Sequence, residues 1–402
     1  MKLNFFTAAF PYKTSESFIE NEIAIVAGRF ETVQIFPYVK PSGAYRKIPA
    51  NCFIKTIESE ARVKLPPKDY FLLLRILFIE FRLSQKKMYF LRHLKRWASF
   101  TKKAIMDANW LANQPEINNE AICYSFWMND WAFALAILKM KKKISKFVFR
   151  SCGFDIWDER HPGNYLPFRG FIYKYSDRIF PNSKTAEFYL KEKNIFPEKI
   201  KRMYLGTTDR GIAPFDSRKL FTIVSCSHVT ALKRIHLIIE ILDQLEFSVQ
   251  WIHFGTGNEL ESIKEKAKKL DAKHQVEFKG FVSNEEYFSF FETQSVNLFI
   301  TTSSTEGLPV TLQEAISFGI PCLATDVGGV REVVTPETGI LIPANFDPKE
   351  VAGKISAFKS SGQNTISFRT GVREYWKRNF EANVTYSQFL DEILKESFKL
   401  KS

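Results

Sequence analysis

The sequence predicts an α/β protein made of two doubly wound domains with parallel sheets. Short apolar runs rich in β-branched and aromatic residues alternate with amphipathic stretches through most of its 402 residues. That length exceeds what one small core fills, and a cluster of Gly206, Gly211 and Pro214 interrupts the pattern near the middle. Hydrophobic residues at 45% and charged residues at 25% are ordinary globular usage, which excludes a largely disordered chain. The 39 Phe, against 14 Tyr and 7 Trp, predict strongly aromatic cores.

In the first half the strand candidates are residues 2–8, 32–36, 121–125, 147–150 and 178–181. In the second half they are 221–225, 248–254, 276–279, 298–301, 321–324 and 339–342, with amphipathic stretches between them. The domain boundary is placed within 205–218. One segment breaks the rhythm: Lys64 to Lys103 carries 11 Lys or Arg against only Asp69 and Glu80, interleaved with Phe, Leu, Tyr and Trp. It reads either as a helical insertion packed on its domain with cations in water, or as a basic amphipathic element lying on an anionic leaflet.

Lys plus Arg number 57 against 44 Asp plus Glu, so the chain carries +13 and suits an anionic partner. No recognition motif points to nucleic acid. Five scattered cysteines without a Cys-x-x-Cys pair argue against a disulfide framework or a structural zinc site and fit a reducing cytoplasm. The apolar run at the start is too short for a signal peptide, and the longest one, 71–81, is broken by Arg75 and Glu80. A soluble or peripheral protein is expected.

Chemistry concentrates in 299–339. After an apolar strand come Glu306, Gly307, Leu308 and Pro309, then a helical stretch carrying Glu314. Gly307 permits close backbone approach and Pro309 suits a helix start. A helix N-terminus at the carboxyl end of a parallel strand binds anions and nucleotides. For a single isolated Glu, a surface carboxylate near a helix dipole would be the better account. The Gly255-Thr-Gly257 turn fails as a dinucleotide fingerprint, because Leu260 stands where the third glycine belongs.

The whole string from Glu306 to Pro321 resembles the Glu-x7-Glu signature of the retaining glycosyltransferases of family 4, of the surface-polysaccharide type. The resemblance runs from about Phe221 to Ile342, through Lys233 and Arg234 after the first strand, His253 to Gly257, Gly280 and Phe281, and Asp326 to Glu332. It implies the GT-B fold: two Rossmann-like domains facing an interdomain cleft, with a C-terminal helix crossing back. The expected domains are 1–205 for the acceptor, with a basic helical insertion at about 64–115, and 206–375 for the nucleotide-sugar, with 376–402 returning to the first domain.

By this resemblance Glu306 touches sugar hydroxyls, Glu314 binds ribose, and Lys233 neutralises the diphosphate with help from backbone amides near the Gly307, Leu308 and Pro309 turn. Gly280 and Phe281 lie against the base, and Gly257 belongs to the second Gly-rich turn. Ser227 and His228 stand where the family carries Gly-Arg, so Arg234 is the candidate to replace that guanidinium, with His228 a weaker one near the diphosphate. On the acceptor side the resemblance points to Glu16 facing the cleft, to Arg150 and Asp155, and to Cys152 in place of a histidine. For Glu16, a first-turn carboxylate complementing a helix dipole is an equal alternative. A nucleophilic Cys152 lacks the histidine partner it would need.

The implied activity is hexosyl transfer from a UDP- or GDP-sugar to a glycan or lipid-linked saccharide, retaining and metal-independent, with no cofactor. The implied context is polysaccharide or lipopolysaccharide assembly at the cytoplasmic side of a membrane. The alternative is a catalytically weak nucleotide-sugar-binding subunit of a glycan assembly complex, suggested by Cys152 and His228. A nucleotide-sugar epimerase ranks last, because it requires acid and base groups that the sequence does not supply.

Overall fold

The computed structural model describes residues 1–12, 16–39, 46–57 and 65–398, with side chains to residue 395. Lys64, where the basic run begins, and residues 13–15 of the first strand-to-helix turn lie outside them. The chain divides into two compact units, one of residues 1–204 joined by the stretch from Tyr386 onward, the other Leu205–Thr385.

The first unit contains β1 (Lys2–Thr7), β2 (Thr32–Pro37), β3 (Cys52–Ile54), β4 (Ala121–Ser125), β5 (Lys146–Ser151) and β6 (Arg178–Pro181). They pair in parallel in the order β3-β2-β1-β4-β5-β6. Helices α1 (Ile19–Ala27), α2 (Tyr70–Leu83), α3 (Lys87–Arg92), α4 (Leu94–Ala112), α5 (Asp130–Met140), α6 (Arg169–Tyr175) and α7 (Lys184–Glu192) accompany them. The central strands are buried on both faces, as parallel sheets covered by helices require, so they read as continuous apolar runs. Aromatic rings fill the core: Phe6 stacks on Phe36 at 4.8 Å between centroids and meets Trp131 edge-on at 5.4 Å. Asn129 caps α5 by accepting from the Trp131 amide, and Ser183 caps α7 by accepting from that of Ala186.

The second unit contains β7 (Phe221–Cys226), β8 (Val249–Phe254), β9 (Gln275–Gly280), β10 (Leu298–Thr301), β11 (Cys322–Thr325) and β12 (Gly339–Ile342), all parallel, ordered β12-β11-β10-β7-β8-β9. Its helices are α8 (His236–Asp243), α9 (Leu260–Ala267), α10 (Asn284–Thr293), α11 (Val310–Ser317), α12 (Pro348–Ser360) and α13 (Ile366–Phe380). A capping box starts α10, where Ser283 and Glu286 exchange bonds, and Asp347 with Pro348 starts α12. In each sheet the first strand has neighbours reached by connections running in opposite directions. The topological switch points therefore lie at the carboxyl ends of β1 and β4, and of β7 and β10.

Helix α13 runs on through residue 376 within the second unit, where Trp376 is buried and donates to the Thr207 hydroxyl at 2.7 Å. The tail changes unit later, inside α14 (Ala382–Phe398). There Phe389 packs on Tyr124 and Phe180 of the first unit, and Lys146 donates to the Ile393 carbonyl.

Candidate functional site

The strand-to-helix loops at the switch point of the second unit are tied together by their own backbone. After β7 the chain makes a short 3-10 turn, Ala231–Lys233, and Arg234 takes a left-handed conformation at φ 48° before α8 begins. After β10, residues 302–309 lead into α11, with Pro309 at its N-cap. The Ser304 amide donates to the Leu232 carbonyl at 2.8 Å, and the Thr302 hydroxyl donates to the carbonyls of Lys233 and Arg234. Across this junction Lys233 Nζ meets Glu306 Oε1 at 2.5 Å. Glu306 is only 12% exposed and Lys233 27%, so the pair sits largely out of bulk water, where a charge contact is stronger than at the surface.

A third loop, after β11, closes on the same place. The Gly329 amide donates to the Gly307 carbonyl at 2.7 Å, and a Cβ on Gly328, at φ 56°, would stand 2.1 Å from the Glu306 carbonyl oxygen. Only glycine fits there. Leu308 is buried and anchors the turn into α11, whose first-turn amides lack intrahelical partners.

Glu314 lies in the second turn of α11. Burial pushes its carboxyl up to about 8, with Arg210 pulling the other way. The Cys226 thiol, at the end of β7, feels both Glu314 and Lys233, which brings all three to the same strand end. A carboxyl with a folded value near 8 against 4.5 ordinarily stays protonated at neutral pH while its unfolded counterpart ionises. Its cost to stability is therefore absent below pH 4.5, grows as pH rises, and levels off above about 8. Glu314→Gln is expected to leave stability unchanged in acid and to raise it by a few kcal/mol above pH 8, measured by urea unfolding across that range.

Phe281 follows Gly280 at the end of β9 and is 61% exposed, an aromatic face open to a flat ligand. His228 is exposed on the loop after β7.

Two candidate residues of this unit are engaged with protein in the structure. The Arg234 guanidinium clamps the two loops: Nε donates to the Thr302 carbonyl at 2.7 Å and Nη2 to that of Ser303 at 3.3 Å. Gly257 approaches protein backbone, since a Cβ there would stand 2.2 Å from the Val229 carbonyl oxygen. A pocket of about 630 Å³ opens at the β9 edge among Gln250, Gln275, Glu277 and Lys279. It includes neither Lys233 nor Glu306, so its size does not make it the centre of the chemistry.

In the first unit the sequence candidates prove to be interior groups. Glu16 is buried, its carboxylate accepting from the amides of Ala8, Ala9 and Phe10 and from the Trp127 indole. It locks the turn after β1 instead of facing solvent. Arg150 is fully buried in β5, donating to Tyr124 Oη at 2.7 Å and to the Met203 carbonyl at 3.0 Å beside Glu22. Cys152 is buried, and desolvation pushes its thiol far above the usual range, which makes it inert. The Asp155 carboxylate accepts from the Met128 amide at 3.0 Å, and burial raises it to about 7.

Sequence reasoning missed a groove of about 510 Å³ beyond the carboxyl ends of β4 and β5, lined by Tyr89, Arg96, Trp97, Phe100, Phe154 and His161 among others. The aromatic residues of the basic segment were its signal, but nothing local pairs them with the loop 153–168.

Residues 210–379 match the family model for glycosyl transferases group 1. That stretch holds Lys233, Phe281, Glu306 and Glu314. Along almost the whole chain, WcaL of Salmonella typhimurium, described as a colanic acid biosynthesis glycosyltransferase, is 23% identical over 400 residues, 94% of this chain and 96% of WcaL. The GtfA subunit of a UDP-N-acetylglucosamine–peptide N-acetylglucosaminyltransferase from Streptococcus parasanguinis is 31% identical over 217 residues, 49% of this chain and 41% of GtfA. Among solved structures, apo WaaB, a lipopolysaccharide outer core galactosyltransferase, superposes with a TM-score of 0.67 at 18% identity over 99% of this chain and 100% of its own. Anabaena HepE in complex with UDP gives 0.66 at 14% identity over 98% and 100%. With the two sheet orders, these likenesses establish the GT-B fold.

Proposed function

We propose that the chain transfers a hexosyl unit from a UDP- or GDP-sugar to a hydroxyl of a glycan or lipid-linked saccharide, with retention, in the assembly of a surface polysaccharide or lipopolysaccharide. The observation that carries this reading is the Lys233–Glu306 pair at the switch point of the second unit. Breaking a sugar–diphosphate bond places negative charge on the departing phosphate, and fixed cations and amides aimed at that charge lower the barrier. Lys233 supplies the cation, and the unpaired first-turn amides of α11 supply donors. This set neutralises the diphosphate without a metal, which is the metal-independent course proposed here. Glu306, held by Lys233 in the free protein, turns to the sugar hydroxyls when the diphosphate takes over that cation. Phe281 stacks on the base, and Glu314 bonds the ribose. The departing phosphate takes the acceptor's proton.

The names of WcaL, WaaB and HepE, with their colanic acid, lipopolysaccharide and UDP associations, support the substrate class. For the acceptor, the aromatic groove of the first unit replaces Glu16, Arg150 and Cys152, because sugar rings pack on aromatic faces and the groove is open.

A thermal-shift panel of nucleoside diphosphates and their sugars tests the donor reading. At a hundredfold excess over Kd, the right ligand stabilises the native protein by about 2.7 kcal/mol, a rise of roughly 5–10 °C in the transition of the second unit. Absence of any shift with UDP, GDP and their sugars would refute it. A shift without transfer to any glycan would favour the binding-subunit alternative.

A further inference from the structure

We propose that the outer face of α2, continued by α3 and the start of α4, docks on an anionic membrane surface. This goes beyond the transfer reading and does not depend on it. On α2 the spacing of Phe71, Leu74, Arg75, Phe78 and Arg82 places all five on one stripe, and every one is exposed, Phe71 by 78% and Phe78 by 60%. The opposite side, Leu73, Ile76 and Leu77, is buried in the unit's core. Helix α2 is therefore apolar on two sides, and packing on its own domain accounts for only one of them. Met88 and Leu91 of α3 and Leu94 of α4 extend the exposed apolar surface.

The charges decide what covers it. Between residues 65 and 103 the only two acids are both buried and bonded: Glu80 accepts from Tyr165 and the Phe171 amide, and Asp69 accepts from Asn109. Lys68, Arg75, Arg82, Lys86, Lys87, Arg92 and Lys95 are all exposed. The surface thus presents apolar and cationic groups with no anion among them. A second copy of the same face would set cation against cation, whereas an anionic lipid surface accepts the rings into its acyl boundary and the cations at its headgroups. No helix among the described residues is long and apolar enough to cross a membrane, so the contact would be peripheral.

Vesicle co-sedimentation of the full chain tests this, with phosphatidylcholine vesicles with and without phosphatidylglycerol. Binding is expected with phosphatidylglycerol and little without it, and it should weaken as salt rises. Phe71→Ser, Leu74→Ser and Phe78→Ser combined should lower partitioning at least tenfold. Arg75→Gln with Arg82→Gln should lower it by about fivefold per cation. Both variants should keep wild-type far-UV circular dichroism and nucleoside diphosphate response. Equal binding to both vesicle types, no binding to either, or binding indifferent to both variants would overturn the proposal. So would concentration-dependent self-association that the triple variant abolishes, since the occupant would then be a second copy.

Discussion

Glu306→Gln is expected to lower sugar transfer by about 10²–10³-fold while leaving nucleoside diphosphate affinity little changed. The carboxylate pairs with Lys233 at 2.5 Å in the free protein, and both groups sit where the loops after β7 and β10 are fastened together. A neutral amide of the same shape keeps the loop packed and leaves the lysine available to the diphosphate. What it loses, under the proposed function, is the charge that orients the sugar and faces the positive charge developing at its anomeric carbon. Lys233→Met acts on the other partner and should weaken both diphosphate binding and transfer, because in the proposed function the cation meets the leaving group before and during bond breaking. The two effects should not add, since the residues touch. Calorimetric titration with UDP and GDP beside initial-rate assays separates these outcomes. If Glu306→Gln weakened nucleotide binding as much as transfer, the carboxylate would belong to nucleotide recognition and its assignment to the sugar would fail.

The loops that form this centre were legible because their signal is local. Each strand of the second unit is a short apolar run bounded by a polar or glycine-containing turn, and parallel burial makes such runs continuous. Glu306 and Lys233 follow directly from strand ends that the pattern identifies. Strand β3 escaped because three residues, with Phe53 exposed, carry no periodicity. The commitments of charged side chains escaped for another reason. Nothing near Arg234 shows that its guanidinium will bond carbonyls 68 and 69 residues away. Nothing near Glu16 shows that Trp127, 111 residues on, will complete a set of donors around it. A turn carboxylate looks the same in sequence whether it faces substrate or fills a nest of amides. The exposure of Phe71 and Phe78 had the same ambiguity, and folding resolved it by burying the other side of α2.

Arg150→Met is expected to destabilise the first unit by about 3–5 kcal/mol, the largest stability effect of any single change considered, because it leaves a buried carboxylate without its cation. Glu22 accepts from Tyr124 Oη at 2.8 Å and lies 3.4 Å from the Arg150 guanidinium, and the carboxylate and guanidinium are fully buried. The guanidinium also stacks on the Phe389 ring, 4.1 Å from its centroid, so this one side chain ties α14 to β5. Burial already holds the Glu22 carboxyl above its ordinary 4.5, with Arg150 as the strongest opposing influence. Removing that influence raises it further, so the native variant takes up a proton that its unfolded form releases. Its deficit against the wild type should then be smallest in acid and grow once pH passes the wild type's own raised folded value, which lies above 4.5. Urea unfolding at several pH values measures this, and Glu22→Gln combined with Arg150→Met should recover part of the loss by removing the orphaned charge. Nucleoside diphosphate binding, which the proposed function places in the second unit, should survive in the single variant. A deficit independent of pH would mean that the lost packing on Phe389, and not the buried charge, is what holds the helix in place.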